Sequence, residues 1–371
     1  MINLSFGTAV RFGDGARRAL PSVLAQAGIK RPLLITDKGV MAAGVFAQAI
    51  EAIADAASLP VFTDVPVNPT EAAAIAGAAS YKANACDGVV GIGGGAALDL
   101  AKAVAILATN EPPLWSYCNR HAEPRDIRNP PPLILMPTTA GTGSEVGRSA
   151  VIVFDNGIKA GVRCPEIVTM AICDPELTFA LPPSITATTG MDALAHCIET
   201  FCSPTINPPA DAIALDGMKR IFDHIERAVA NGQDRHARWN MMMGSVEGAM
   251  CFQKGMGAVH ALSHPLGALG HHHGTLNAIL LPHVLAYNQE ALEGKMARMA
   301  QQAGLADERQ LPQAMAQLTS RIGIPARLRD LGVPEPALDG IAAAALEDNA
   351  HKTNPRPLDK ADYNAILQSA Y

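Results

Sequence analysis

The sequence predicts an α/β N-terminal domain built on a mostly parallel sheet, followed by an all-helical C-terminal domain. Three observations carry this expectation. Up to about residue 180, short β-branched or apolar runs alternate with longer Ala-rich helical patterns. Beyond Leu181-Pro182-Pro183 the strand signal fades, and apolar positions recur at helical steps of three and four. Between these regimes, a run of three glycines stands where an apolar strand turns into a helix. The domains are accordingly placed at residues 1–180 and 181–371.

In chain order, strands are expected over residues 32–36, 61–65, 88–92 and 133–136, with helices over 39–56, 71–82 and 97–108 between them. A helix between successive strands makes those strands parallel and covers both faces of the sheet, so the strands should be apolar throughout. In the second half, helical windows fall at 210–231, 234–256 and 277–300, with polar punctuation such as Asn231-Gly232-Gln233-Asp234 marking the turns. The alternation of Ile2, Leu4 and Phe6 suggests a further strand that extends a sheet or pairs with a second subunit.

Composition narrows the function. The chain has 371 residues, 49% of them hydrophobic but only 4% aromatic, so a core of Ala, Leu, Ile, Val and Met is expected. A formal charge of −6 gives no basic footprint for nucleic acid or an anionic membrane surface. Seven cysteines without a C-x-x-C pair read as free thiols in a reducing compartment. The first residues lack a signal-peptide pattern and no apolar run is long enough to span a bilayer, so a cytoplasmic location is expected.

The stretch from Gly88 to Lys102 runs a strand into Gly93-Gly94-Gly95 and then into a helix. Bare glycines let a ligand approach the backbone, and the helix start offers free N–H groups to a pyrophosphate. The pattern is neither G-x-G-x-x-G nor a Walker loop, because Lys102 lies too deep in the helix, and a tight strand-to-helix turn accounts for it equally well. A second loop, Pro137 to Val146, places Thr138, Thr139 and Thr142 among small residues, a composition suited to hydrogen bonding a ribose or phosphate. Asp37 ends a strand where a carboxylate can accept from an adenosine ribose and repel a 2′-phosphate, which favours NAD over NADP; a turn cap is the alternative. Asn68 reads either as a cofactor contact or as an Asx turn.

Five histidines fall within fourteen residues: His260, His264, His271, His272 and His273. On helices, His260 and His264 would share a face at i, i+4, as would Asp192 and His196 upstream. One carboxylate and several imidazoles suit zinc or ferrous iron, whereas calcium and magnesium take oxygen shells. The competing reading of residues 271–273 is a solvated turn between Gly270 and Gly274. Apolar neighbours such as Met191, Leu194, Val259 and Leu262 would bury the two pairs, and a shared cation satisfies buried imidazoles.

These motifs resemble the iron-containing alcohol dehydrogenase family over nearly the whole chain: Gly93-Gly94-Gly95 with Asp99, Pro137 through Glu145, Gly190-Met191-Asp192 with His196, and His260 with His264-Pro265-Leu266-Gly267 followed by His273-Gly274. Finer stretches, residues 31–39, 207–211, 272–277 and 351–355, are similar to its 4-hydroxybutyrate dehydrogenase branch. The resemblance implies a dehydroquinate synthase-like fold, an NAD cofactor and one divalent metal, Fe2+ or Zn2+, held by Asp192, His196, His260 and His273, with His272 as the alternate fourth ligand. It implies that Gly94, Gly95, Asp99, Thr138, Thr139 and Thr142 hold the pyrophosphate and nicotinamide ribose. Asp37 and Asn68 would lie toward the adenosine and Lys159 on a ribose. Ala96 departs from the serine common in the family.

The implied reaction is reversible hydride transfer between a small primary alcohol and NAD, with His264 moving the hydroxyl proton. For an ω-hydroxy acid, Arg148, His351 and Lys352 are the candidate carboxylate readers. Maleylacetate reductase and a lactaldehyde or 1,3-propanediol-type oxidoreductase are the rivals within the family, and a dehydroquinate synthase-like lyase or a non-catalytic scaffold the more distant ones. A homodimer is a family expectation.

Overall fold

The computed structural model describes Leu4 and Phe6–Tyr371. Its residues fall into two compact units, one of Gly7–Thr139 with Gly143–Ala180, the other chiefly Leu181–Tyr371 with Ala140–Thr142. The first unit holds strands β1 (Val10–Phe12), β2 (Pro32–Ile35), β3 (Val61–Phe62), β4 (Gly88–Gly93), β5 (Leu133–Pro137), β6 (Ser149–Val153), β7 (Lys159–Arg163) and β8 (Met170–Cys173). Six of them form one sheet in the order β1-β8-β5-β4-β2-β3. Every pairing in it is parallel.

The alternation of side chains along these strands builds two cores. Leu33, Ile35, Val89, Leu133 and Leu135 face one way, toward residues of the helices Glu71–Ala83 and Gly95–Thr109. Leu34, Val90, Ile92, Ile134, Met136 and Ile172 face the other way, toward Leu20–Gln26 and Val45–Ile50. Because both faces are covered, β2, β4 and β5 are buried along their whole length, as a continuous apolar run demands.

Several elements differ from expectation. The helix expected over 39–56 is two pieces, Lys38–Ala42 and Val45–Ile50, separated by Gly44 at φ 74°, a conformation that ends the first and resets the second. Strands β1, β6, β7 and β8 were not foreseen. β1 is three residues long, too short for a pattern, whereas β6 and β7 are an antiparallel hairpin around Asn156-Gly157, a turn signal present in the sequence. The suggested strand at Ile2, Leu4 and Phe6 falls partly outside the described residues; Leu4 and Phe6 carry irregular backbone.

Beyond Ala180 the described residues contain helices and no strand. The central helix, Pro183–Cys202, is buried along almost its entire length. Helices Pro208–Ala230 and Arg235–Met250 begin on the side-chain caps Asn207 and Asp234. The windows expected at 234–256 and 277–300 are shorter in fact, the first stopping at Met250 and the second splitting into His273–Asn288 and Lys295–Gln302. At the C-terminus of the central helix, Lys295 Nζ donates to the carbonyls of Phe201 (2.9 Å), Cys202 (3.2 Å) and Ser203 (2.8 Å). Buried Lys254, paired with Asp211, adds a second cation at the same end. Positive charge there satisfies orphan carbonyls and opposes the negative end of the helix dipole.

Gly91 shows how tightly the glycine-rich turn is packed. A Cβ at this position would lie 2.7 Å from the Ala101 methyl and 2.8 Å from Leu135 Cδ2, so the helix Gly95–Thr109 rests directly on the β4 backbone. Gly91→Ala should therefore lose about 1–3 kcal/mol of stability in urea unfolding, the usual cost of overpacking a core. A variant as stable as the wild type would show that this contact yields freely.

Candidate metal centre and nucleotide loops

The central helix carries Asp192, His196 and Glu199, which at i, i+4 and i+7 share one face. Helix Ala258–Gly267 supplies His260 and His264, and His273 opens the helix His273–Asn288. The Asp192 Oδ1 atom lies 3.6 Å from His196 Nε2, 3.7 Å from His260 Nε2 and 3.7 Å from His273 Nε2. These separations exceed a hydrogen bond, but two donors about 2.1 Å from one tetrahedral ion stand about 3.4 Å apart. Ligand atoms of Asp192, His260 and His273 all lie within 4.8 Å of one another. Three imidazole nitrogens and one carboxylate oxygen, from buried Asp192, His196 and His260 and half-buried His273, make a donor set that fits zinc or ferrous iron.

Partners behind the imidazoles set their orientation. His260 Nδ1 makes a short hydrogen bond to Glu199 Oε2, while Glu199 Oε1 accepts from the Val259 N–H at 2.7 Å. His273 Nδ1 meets Ser263 Oγ at 3.3 Å. Occupying Nδ1 leaves Nε2 facing Asp192, the arrangement in which a carboxylate behind a histidine fixes its tautomer and strengthens it as a ligand. Burial opposes a charge on Asp192, yet the imidazoles of His196, His260 and His273 hold its carboxyl well below the usual range. Burial pushes His196 down. At His260 burial acts the same way, but Glu199 and Asp192 outweigh it and push the imidazole up.

His264 stands beside this group. Its ring stacks on His273 with centroids 5.5 Å apart and planes 11° from parallel, and its Nδ1 lies 2.9 Å from Asp348 Oδ2. Asp348 is itself fixed by the Ala350 N–H at 2.8 Å. His272 is exposed and serves as the N-terminal cap position of the next helix, so the structure brings His273 to the cluster. Sequence reasoning missed Glu199, Asp348 and Asn277. The first was detectable, because it extends the Asp192–His196 face by one turn; Asn277 lies one turn beyond His273 in the same way. Asp348 sits 84 residues from His264, and no local pattern announces that pairing.

In the α/β unit, Gly94 caps the helix Gly95–Thr109 with no side-chain hydrogen bond, leaving its first-turn N–H groups without a cap. Thr139 lies against Gly94, and buried Thr138 donates its N–H to Gly93 O at 2.9 Å. Asp99 Oδ1 accepts from Ser144 Oγ (2.6 Å) and from Lys102 Nζ (3.1 Å), and Lys102 also reaches Ser144 Oγ and Ser149 O. The lysine that lies too deep to meet a phosphate thus anchors Asp99. Asn68 Oδ1 accepts from Lys159 Nζ at 3.0 Å, so the unforeseen hairpin brings two residues together that the sequence left 91 apart. Asp37 uses Oδ1 as a turn cap for Val40 (2.9 Å), while Oδ2 faces Gly93. Thr142 belongs with the helical unit, where neighbouring Gly141 packs on Thr189. Glu145, buried among these residues, is pushed up to about 7 by burial.

The three suggested carboxylate readers are held by local contacts. Arg148 lies against Gly7, His351 Nδ1 meets Tyr363 Oη at 3.0 Å, and exposed Lys352 donates to Asn349 Oδ1 at 3.2 Å.

Comparison with known proteins agrees over the full length. Residues 7–175 match the family model described as iron-containing alcohol dehydrogenase, and residues 186–371 match the Fe-containing alcohol dehydrogenase family, C-terminal. The chain is 48% identical to a 4-hydroxybutyrate dehydrogenase of Cupriavidus necator, over 98% of each chain. Among solved structures, it is similar to a 1,3-propanediol oxidoreductase, with a TM-score of 0.94, 33% identity and 100% of both chains covered. It is also similar to a sulfoacetaldehyde reductase of Bifidobacterium kashiwanohense in complex with NAD+, with a TM-score of 0.91, 29% identity, and 100% and 98% coverage.

Replacing the carboxylate behind His260 should loosen the ion. For Glu199→Gln, chelator competition is expected to show affinity for Zn2+ about 10–100-fold weaker, the usual effect of removing such a partner. Unaltered affinity would mean that Glu199 serves the fold alone.

Proposed function

The chain belongs to the iron-containing alcohol dehydrogenase family, and from that premise we propose that it interconverts a small primary alcohol and its aldehyde with NAD and one divalent metal. The observation that carries this reading is the convergence of three imidazoles on the single oxygen of buried Asp192. The proposed substrate is an ω-hydroxy acid such as 4-hydroxybutyrate, with succinic semialdehyde as its product, a choice supported by the 48% identity to the Cupriavidus necator enzyme.

Asp192, His196, His260 and His273 would hold the ion, Fe2+ or Zn2+. When bound, the ion would supply Lewis acidity toward the substrate oxygen and NAD would supply the acceptor for hydride from the alcohol carbon. His264 moves the hydroxyl proton: with Nδ1 turned to Asp348, its Nε2 is left for that exchange. Residues 1–180 are assigned to the nucleotide and 181–371 to the ion. The backbone at Gly94 and Gly95, with Thr138, Thr139 and Thr142, would receive the pyrophosphate and nicotinamide ribose, and Asp99 is held in place for it by Lys102 and Ser144. The paired Asn68 and Lys159 are assigned to the ribose and adenosine side, and the negative Asp37 disfavours a 2′-phosphate there.

A homodimer in the reducing cytoplasm completes the reading; the cysteines of the chain are all free thiols, and no helix of the described residues is long and apolar enough to cross a membrane. The decisive assay follows NADH fluorescence on addition of succinic semialdehyde, with and without chelator. Metal-dependent decay is expected, and silence with every short aldehyde, 3-hydroxypropanal included, would overturn the proposal.

Arg148, with His351 and Lys352, is assigned to the substrate carboxylate. Loss of one charge-assisted hydrogen bond should raise KM for 4-hydroxybutyrate about 10–100-fold in Arg148→Ala, with 1-butanol turnover unchanged. Equal loss on both substrates would remove Arg148 from that role.

A further inference from the structure

Asn277 sits one turn after His273 on the same helix and is completely buried. Its amide nitrogen lies 2.7 Å from Asp192 Oδ1, 3.1 Å from His273 Nε2 and 3.2 Å from His260 Nε2. These are the same three residues whose ligand atoms cluster to hold an ion. A primary amide has two hydrogens, so three acceptors around one nitrogen oversubscribe it. Meanwhile Asn277 Oδ1 is buried with no hydrogen-bond partner. The opposite orientation would set a carbonyl oxygen against a carboxylate and two nitrogen lone pairs, so the charge distribution of the cluster keeps the nitrogen inward at the expense of the oxygen. What the three acceptors attract is partial positive charge.

We propose that Asn277 is an internal placeholder for the metal ion: its amide nitrogen occupies the lone pairs of Asp192, His260 and His273 when no ion is bound and must release them when one enters. A lone pair cannot accept a hydrogen bond and coordinate a cation together, so amide and ion compete. Two consequences follow. Without metal, Asn277 gives buried Asp192 a close hydrogen-bond donor and preserves the spacing of the imidazoles. With metal, its displacement subtracts from the binding free energy, so Asn277 sets the affinity from a position that is not itself a ligand. This differs from the role of Glu199, which supports the imidazole from behind and strengthens binding.

The inference rests on the ligand assignment above, and one titration separates the two. Metal-free wild type and Asn277→Ala are titrated with Zn2+ against a chromogenic chelator, and each is melted with and without Zn2+. The variant is expected to bind Zn2+ about tenfold or more tightly, as loss of a competing charge-assisted hydrogen bond requires. It should also melt lower without metal and gain more on adding it. Wild type that binds no stoichiometric ion would overturn the ligand assignment itself. Wild type that binds normally beside a variant that binds equally or more weakly would overturn only the placeholder, leaving Asn277 a support like Glu199. Should Asn277→Ala not fold without metal, both proteins are loaded, mixed and depleted to a limiting ion supply, and native mass spectrometry reads which retains it. Retention by the variant supports the placeholder, and retention by the wild type overturns it.

Discussion

The burial of one carboxylate governs the helical unit. Asp192 is 3% exposed and, among the described residues, its ion-pair partners are histidines rather than Lys or Arg. A lone carboxylate stripped of water is strongly disfavoured, so something must supply positive charge or protons to it. Three histidines and an amide from three different helices converge to do so, and two of the imidazoles are held from behind. Glu199 fixes His260, Ser263 meets His273, and Asn277 reaches Asp192. The asparagine pair formed by Asn288 and Asn354 extends this scaffold, because Asn354 Oδ1 also accepts the Ala258 N–H that begins the His260 helix. The late Asn354-Pro355 turn is thus bound to the helix that carries two of the five clustered histidines.

The α/β unit is organised by a different constraint, close approach of helix to sheet. Gly91 and Gly93 face Ala101 and Ala97 at distances that leave no room for a methyl group. The helix can then lie flat on β4 and end its N-terminus at the glycine loop. Lys102 is buried on the same helix and spends its three donors on Asp99, Ser144 and Ser149, which ties the glycine loop to the threonine loop through one ammonium. Geometry that would suit a dinucleotide is therefore set by packing and by a buried cation before any ligand is considered.

Much of this was legible in the sequence because it is periodic or local. The four strands with unbroken apolar runs, the helix carrying Asp192 and His196, and the helix carrying His260 and His264 all follow from side-chain spacing. What escaped is either too short or too distant. β1 offers three residues, and the Asp348–His264 pairing joins separate helical turns through the fold. Gly44 divided a helix whose apolar pattern continued across it, since periodicity registers side chains and not φ. At Asp37 the structure shows the turn cap that the sequence offered as the alternative reading, with Oδ1 accepting from the Val40 N–H and Oδ2 turned to Gly93.

The placement of Ala140–Thr142 bears on how such a chain can be taken apart. Those three residues group with the helices while the residues on both sides group with the sheet. A fragment started at Leu181 would lack the strip that Thr189 packs on through Gly141, and a fragment stopped at Ala180 would carry that strip as unsupported backbone. Neither half is thus a finished module, and recombination at the apparent boundary would yield two incomplete products.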